Sequence, residues 1–256
     1  MAAPIALSAD QSGPPRATPY GWAVFALSFG LLISDYMARQ VLNAIFPLLK
    51  ADIGGWVGHS SMHPDILSVG KERMAQAVQA AGSRFLDAPM TRTPKEAAEG
   101  RLNLLVGSDA ALLEEARPIL QCFAENITHV GPVGAGHSMK LLHNYVSLGM
   151  VTLLAEAAAC AGRNGVEPAA FVEVLAKGGG GGIALERIKP FLLSGDTGGL
   201  RFSVANACKD LGYYNTMASD ANASRELAAA VLSTLEGAKA KAPEALVPEL
   251  AAILAR

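Results

Sequence analysis

Apolar positions change their spacing several times along this chain. From Tyr20 to Ile33 they run almost without a break. Ser34, Asp35 and Tyr36, then Arg39 and Gln40, interrupt the run, and Val41 to Leu49 resumes it. The uninterrupted part falls short of the ~20 apolar residues a spanning helix needs. From Asp65 to Ala81 the spacing is that of an amphipathic helix, with Ile66, Val69, Met74, Ala77 and Val78 as its apolar positions and Pro64 placed to start it. Short runs bounded by glycine or proline then predict strands over 82–89, 101–106 and 127–130. A helix over 110–123 fits between the last two, opened by the start signal Gly107-Ser108-Asp109. Beyond that the pattern is helical. A long helix is predicted over 136–161, and its apolar residues extend so far round it that burial between neighbours is expected. Further helices are predicted over 168–176, 183–193, 203–218, 223–236 and 244–255. Gly178 to Gly182 reads as a connection, because the run follows no strand and lacks a lysine at phosphate-loop spacing.

Composition narrows the class. Hydrophobic residues make up 51% of the chain and charged residues 17%, with few aromatics and abundant alanine. That is the composition of closely packed helices, not of a disordered or fibrous chain. A formal net charge of −2 leaves no electrostatic footprint for nucleic acid. Cys122, Cys160 and Cys208 are odd in number and widely spaced, which fits reduced thiols in a cytoplasmic protein better than disulfides. No metal site is expected. His137 and His143 do not share a helical face, and His59 and His63 have no acidic partner close in sequence.

The candidate chemistry sits in Gly134-Ala-Gly-His-Ser-Met-Lys140-Leu-Leu-His-Asn144. Two glycines open a helix, and Lys140 and Asn144 are spaced to share one face of it. An ammonium beside an amide can hold one substrate oxygen, the lysine exchanging the proton and the asparagine fixing the geometry. With the strand-like run Ile127 to Gly131 ahead of it, this stretch resembles the active-site helix of the β-hydroxyacid dehydrogenases, the family of 3-hydroxyisobutyrate dehydrogenase.

The resemblance spans about 57–256, and its other motifs occur in the family's order. His59-Ser60-Ser61-Met62-His63-Pro64 resembles the loop after a Rossmann strand, which implies that Ser61 lies near the nicotinamide end of the cofactor. Asp87 to Thr93 resembles the substrate loop. Phe202 with Lys209-Asp210-Leu211 resembles a later helix whose lysine approaches the nicotinamide. The resemblance implies an α/β remnant of a Rossmann domain followed by an all-α C-terminal domain built round the long central helix. It implies an oxidoreductase of small β-hydroxy acids that uses NAD or NADP, with Lys140 as general acid/base and Asn144 beside it, and self-association into a homo-oligomer. An unperturbed lysine titrates near ~10.4, so base work at neutral pH calls for burial or a neighbouring cation, for which Lys209 is the candidate. Where many members carry Ser-Gly-Gly, this chain has Thr91-Arg92-Thr93. A guanidinium there can grip an anionic group in a bidentate way, so a small acid with an extra anionic or polar group is expected; an exposed loop arginine is the alternative.

The Gly-x-Gly-x-x-Gly fingerprint of dinucleotide binding occurs nowhere in the chain. Weak NAD(P) binding and poor turnover are therefore expected, and the choice between the two cofactors is open. Residues 20–56 instead resemble the first transmembrane helix of a major facilitator superfamily transporter, with Asp35 and Arg39 one turn apart. The organisation expected is a disordered tail over 1–19, an apolar helix over 20–56, a partial Rossmann domain over 57–131 and the all-α domain over 132–256. The second reading is a catalytically inactive helical interaction protein, tethered to a membrane through 20–49.

Overall fold

The structure is a computed structural model, and it describes residues 75–76, 78–80, 82, 84–92 and 94–256. The expected tail, the apolar helix over 20–56, Ser61 and Thr93 lie outside these residues. The described residues all fall within one compact unit, Ser61–Arg256.

Three strands form the sheet in the order β1-β2-β3. They are β1 (Met90–Thr91), β2 (Leu102–Gly107) and β3 (Ala124–Gly131). The central strand β2 runs parallel to β3 and antiparallel to β1. Leu102, Leu104 and Val106 alternate along it and are buried, the period-two pattern of a strand with one covered face. The strand expected over 82–89 is displaced. Residues 84–86 are irregular, Asp87 makes an isolated bridge to Gly107, and regular pairing begins only after Pro89. Proline has no N–H for the ladder, and here only its carbonyl takes part, accepting from the Leu105 amide at 3.0 Å. β3 is longer than expected because pairing with β2 recruits polar residues, as when Asn126 donates across the strands to Asn103 at 2.8 Å.

α1 (Pro94–Ala98) joins β1 to β2, and α2 (Ala110–Leu120) joins β2 to β3. Asp109 caps α2 by accepting from the amides of Ala111 and Leu112. The helical domain follows: α3 (Ala135–Arg163), α4 (Pro168–Lys177), α5 (Ile183–Ser194), α6 (Val204–Asp220), α7 (Glu226–Lys241) and α8 (Leu250–Ala255). Its core gathers Leu148, Val151 and Leu154 of α3 against Leu185 and Ile188 of α5, Leu211 of α6, Leu235 of α7 and Leu250 of α8. α3 has 29 residues and is roughly 43 Å long.

Two expectations about the helices are corrected. α3 is not covered on all sides: Met139, Leu142, Val146, Met150 and Leu153 form an exposed stripe at helical spacing, with Leu153 69% exposed. The last helix is much shorter than 244–255, because residues 245–247 pair with the start of α6. The Val204 amide donates to the Ala245 carbonyl and the Val247 amide to that of Phe202, and Pro248 follows in a short 3-10 turn. A backbone held in extended pairing cannot also close helical bonds.

Candidate active site

The amino end of α3 carries the candidate pair. Gly134 is the N-cap and takes the left-handed φ of +94°, a conformation that favours glycine. Lys140 and Asn144 follow one turn apart, both half-buried. The Asn144 amide is fixed from two sides. Its Nδ2 donates to Asp210 Oδ2 at 2.9 Å, and its Oδ1 lies 3.2 Å from His143 Nδ1. Asp210 sits on α6 and is only 6% exposed. A carboxylate that far from water needs partners, and Asn144 and the Lys209 ammonium, 3.6 Å from Oδ1, are among them. Lys209 also lies 6.0 Å from the centroid of the Tyr213 ring. Beside the pair, Tyr145 stacks on Tyr214 with ring centroids 4.2 Å apart. Burial, then the nearby Tyr145 hydroxyl, pushes the Tyr214 hydroxyl above the usual tyrosine value.

Lys140, Asn144, Lys209 and Asp210 thus belong to two packed helices, α3 and α6. The loop expected to meet the substrate behaves differently. Thr91 ends β1, paired with Asn103. Arg92 follows in the left-handed region, φ +85°, and its guanidinium is engaged: Nη1 pairs with Glu125 and donates to the Arg101 carbonyl at 2.5 Å. An anionic substrate group would therefore compete with Glu125 for Arg92.

Three participants were not named as site residues from the sequence. Asp210 stood beside Lys209 in the quoted motif, but only folding puts it on Asn144. Asp87 and His137 form the other cluster. The Asp87 carboxylate accepts from the Gly134 and His137 amides and meets His137 Nδ1 at 3.0 Å. Burial pushes Asp87 up, but the His137 ring and the two amides outweigh it and hold the carboxyl below the usual aspartate value. No cluster of three or more metal-ligating side chains occurs among the described residues.

The profile described as the NAD-binding domain of NADP-dependent 3-hydroxyisobutyrate dehydrogenase matches residues 134–246, and that of the NAD binding domain of 6-phosphogluconate dehydrogenase matches 33–131. The chain belongs to the 3-hydroxyisobutyrate dehydrogenase-like family of β-hydroxyacid dehydrogenases. The second match corrects one expectation. The family resemblance begins at residue 33 and not at 57, so it takes over much of the segment that reads as transporter-like.

Among curated relatives, 2-(hydroxymethyl)glutarate dehydrogenase of Eubacterium barkeri is 30% identical over 66% of this chain and 56% of its own length. The 3-hydroxyisobutyrate dehydrogenase of Pseudomonas aeruginosa is 33% identical over 61% of this chain and 55% of its own. The chain thus spans about half the length of the curated relatives it matches. Among solved structures, Mycobacterium tuberculosis 3-hydroxyisobutyrate dehydrogenase with L-serine superposes with a TM-score of 0.67 at 24% identity, over 73% of this chain and 67% of that one. That likeness establishes the fold.

Among the described residues, Lys209 is anchored by buried Asp210 on the helix next to Lys140 and Asn144, a set of donors and cations that suits a polar or anionic ligand. The glycine turn that would cradle a pyrophosphate is not among them.

Proposed function

We propose that this family member is an NAD- or NADP-dependent oxidoreductase of small β-hydroxy acids, with Lys140 as general acid/base. The observation that carries the reading is the Lys140–Asn144 pair, in which the asparagine is tied to buried Asp210 beside Lys209. Nicotinamide, when bound, supplies the acceptor or donor of hydride at the hydroxyl-bearing carbon. The protein's own part is the other half of the exchange. In oxidation, Lys140 takes the proton from the substrate hydroxyl as that oxygen becomes a carbonyl. In reduction it returns the proton to the developing alkoxide. Asn144 donates to the same oxygen and holds it beside the amine. Its own amide cannot rotate freely, because Asp210 accepts from it. Lys209 adds a second positive charge, anchored by Asp210 on the helix packed against α3.

Thr91, Arg92 and Thr93 are the proposed grip on the substrate carboxylate, and Ser61 the proposed neighbour of the nicotinamide. The relative from Eubacterium barkeri is named for an acid with two carboxylates. A second anionic group on the substrate is the feature for which Arg92 could exchange Glu125.

The test is nicotinamide absorbance with a panel of mono- and dicarboxylic β-hydroxy acids. Turnover lost by about a thousandfold or more in Lys140→Ala, with the fold intact, supports the assignment. Lys140→Ala turning over within a few-fold of the parent would sink it. Arg92→Ala should raise KM more for dicarboxylic than for monocarboxylic acids, and an equal rise would remove Arg92 from substrate recognition. Dinucleotide affinity weaker than micromolar by calorimetry is expected from the missing fingerprint.

Self-association is proposed through the exposed apolar stripe of α3. A single exposed leucine is ordinary on a protein surface. Five large apolar residues in helical register form a continuous patch, and such patches usually mark contacts.

A further inference from the structure

One carboxylate has no task in the acid/base reading. The Asp87 side chain is 1% exposed, too buried to be kept by solvation. It stands where the sheet meets the amino end of α3. The first amides of any helix lack partners inside it and are usually met by a side chain at the N-cap. The N-cap of α3 is Gly134, which has none. Asp87, 47 residues earlier in the chain, does the work instead. Its Oδ1 accepts from the Gly134 amide at 2.5 Å and its Oδ2 from the His137 amide at 2.9 Å. A negative charge there also complements the positive end of the helix dipole.

The surroundings are shaped for this contact. A Cβ at Gly107 would stand 2.4 Å from Asp87 Oδ1, and one at Gly136 would stand 2.4 Å from the Leu105 carbonyl oxygen and 2.7 Å from Asp87 Oδ2. Strand and helix close on the carboxylate only because both positions lack side chains. Asp87 is itself pinned to β2 by paired backbone bonds with Gly107, at 3.0 and 2.8 Å. The residue is thus held by the sheet and holds the helix. Three residues after it β1 begins, leading to Thr91 and Arg92, and three residues after His137 comes Lys140.

We propose that Asp87 is a positioning residue for the catalytic helix: it caps α3 from across the joint and sets where its first turns, Lys140 included, stand against the sheet. The proposal rests on the reading of Lys140 as the acid/base.

The experiment compares the full chain with Asp87→Ala, Asp87→Asn and Gly136→Ala by hydrogen–deuterium exchange and by the acetylation rate of Lys140 relative to exposed Lys177. Exchange over residues 134–141 should rise about tenfold or more in Asp87→Ala, the order expected for a lost cap. Over α6 and α7 it should stay within about twofold. Asp87→Asn keeps one acceptor oxygen and should fall between; it serves in place of the alanine variant if that does not fold. Gly136→Ala should loosen the same segment from the helix side. The Lys140 to Lys177 labelling ratio should shift by about threefold or more, and kcat should fall while KM stays within about twofold. Unchanged exchange over 134–141 would overturn the proposal. So would a uniform loss of protection in every helix, or a loosened helix end with an unchanged labelling ratio or unchanged kcat. If the parent shows no turnover, the oxidoreductase reading of this chain is what fails, while exchange and labelling still decide whether Asp87 sets Lys140.

Discussion

Replacing Asp210 offers the most direct test of the candidate site, because the consequence can be worked from two distances. The carboxylate accepts from Asn144 Nδ2 at 2.9 Å and faces the Lys209 ammonium at 3.6 Å. A hydrogen bond to a charged group contributes roughly 1.5–3 kcal/mol. With Asp210 6% exposed, water does little to replace it. The Lys209 side chain is 35% exposed and its contact is longer than a close pair, so screening holds that interaction below about 1 kcal/mol. A single Asp210→Ala measurement cannot separate these, since it also relieves the cost of burying a carboxylate. A double-mutant cycle can. Urea unfolding of Asn144→Ala, Asp210→Ala and the double variant should give a coupling of about 1.5–3 kcal/mol, the hydrogen-bond figure itself. The cycle of Lys209→Ala with Asp210→Ala should give less than about 1 kcal/mol. Kinetically, Asp210→Ala should lower kcat by roughly ten- to a hundredfold, the scale of losses from a misplaced catalytic group. An Asn144–Asp210 coupling below about 0.5 kcal/mol, the scatter expected of independent sites, would refute the reasoning. A Lys209 coupling larger than the Asn144 one would do the same, because Asp210 would then serve the lysine and not the amide.

Three further outcomes are expected. Gly136→Ala should destabilise by about 1–3 kcal/mol through its clash with the Leu105 carbonyl, whereas Gly162→Ala, whose new methyl meets nothing within 4 Å, should stabilise by about 0.5–1 kcal/mol; thermal unfolding of both reads the contrast. The Asp87 carboxyl is held below its usual value in the folded chain, so its contribution is complete above the unfolded value of about 3.9 and fades as pH falls through the lower folded one. The stability gap between the parent and Asp87→Asn should therefore be flat from neutral pH to about 5 and narrow below about 4; a gap that opens on acidification would reverse the sign. Val146→Glu with Leu153→Glu should shift sedimentation toward monomer without lowering the unfolding midpoint, because both residues are exposed in the single chain. A monomeric parent across a wide concentration range would end the self-association proposal.

Local signals made most of the helical domain legible. Proline or serine at a helix start, glycine after a helix end and apolar spacing put α3, α4, α5 and α6 close to their observed bounds. What escaped was set by partners distant in sequence. The alanine- and leucine-rich run 250–255 carries a helical reading back over 244–249, yet the backbone of Phe202 and Val204 draws residues 245–247 into extended pairing. The front of β3 is polar and reads as loop, but β2 lies beside it with matching bonds to make. The outward stripe of α3 could not be told from a buried face, because periodicity states which residues share a side and not what covers it. At the site, Lys140 and Asn144 were readable because they lie one turn apart on one helix. Their anchors were not, since Asp87 and Asp210 arrive from other elements.

These two anchors act on the same helix at different heights. Lys140 comes three residues after His137, whose amide Asp87 holds, and four before Asn144, whose side chain Asp210 holds. One carboxylate fixes α3 to the sheet through backbone amides. The other ties it to α6 through a side chain. A lysine stem is long and flexible, so its amine is placed only as well as the backbone beneath it. Bracketing that backbone with two buried acceptors removes rotation about the helix axis and sliding along it, the two freedoms that would carry the amine away from a substrate oxygen. Removal of either anchor alone leaves the other to hold both motions in part. The loss of kcat in a variant lacking both should accordingly exceed the product of the two single losses, and independent multiplication of the two would mean that they steady different things.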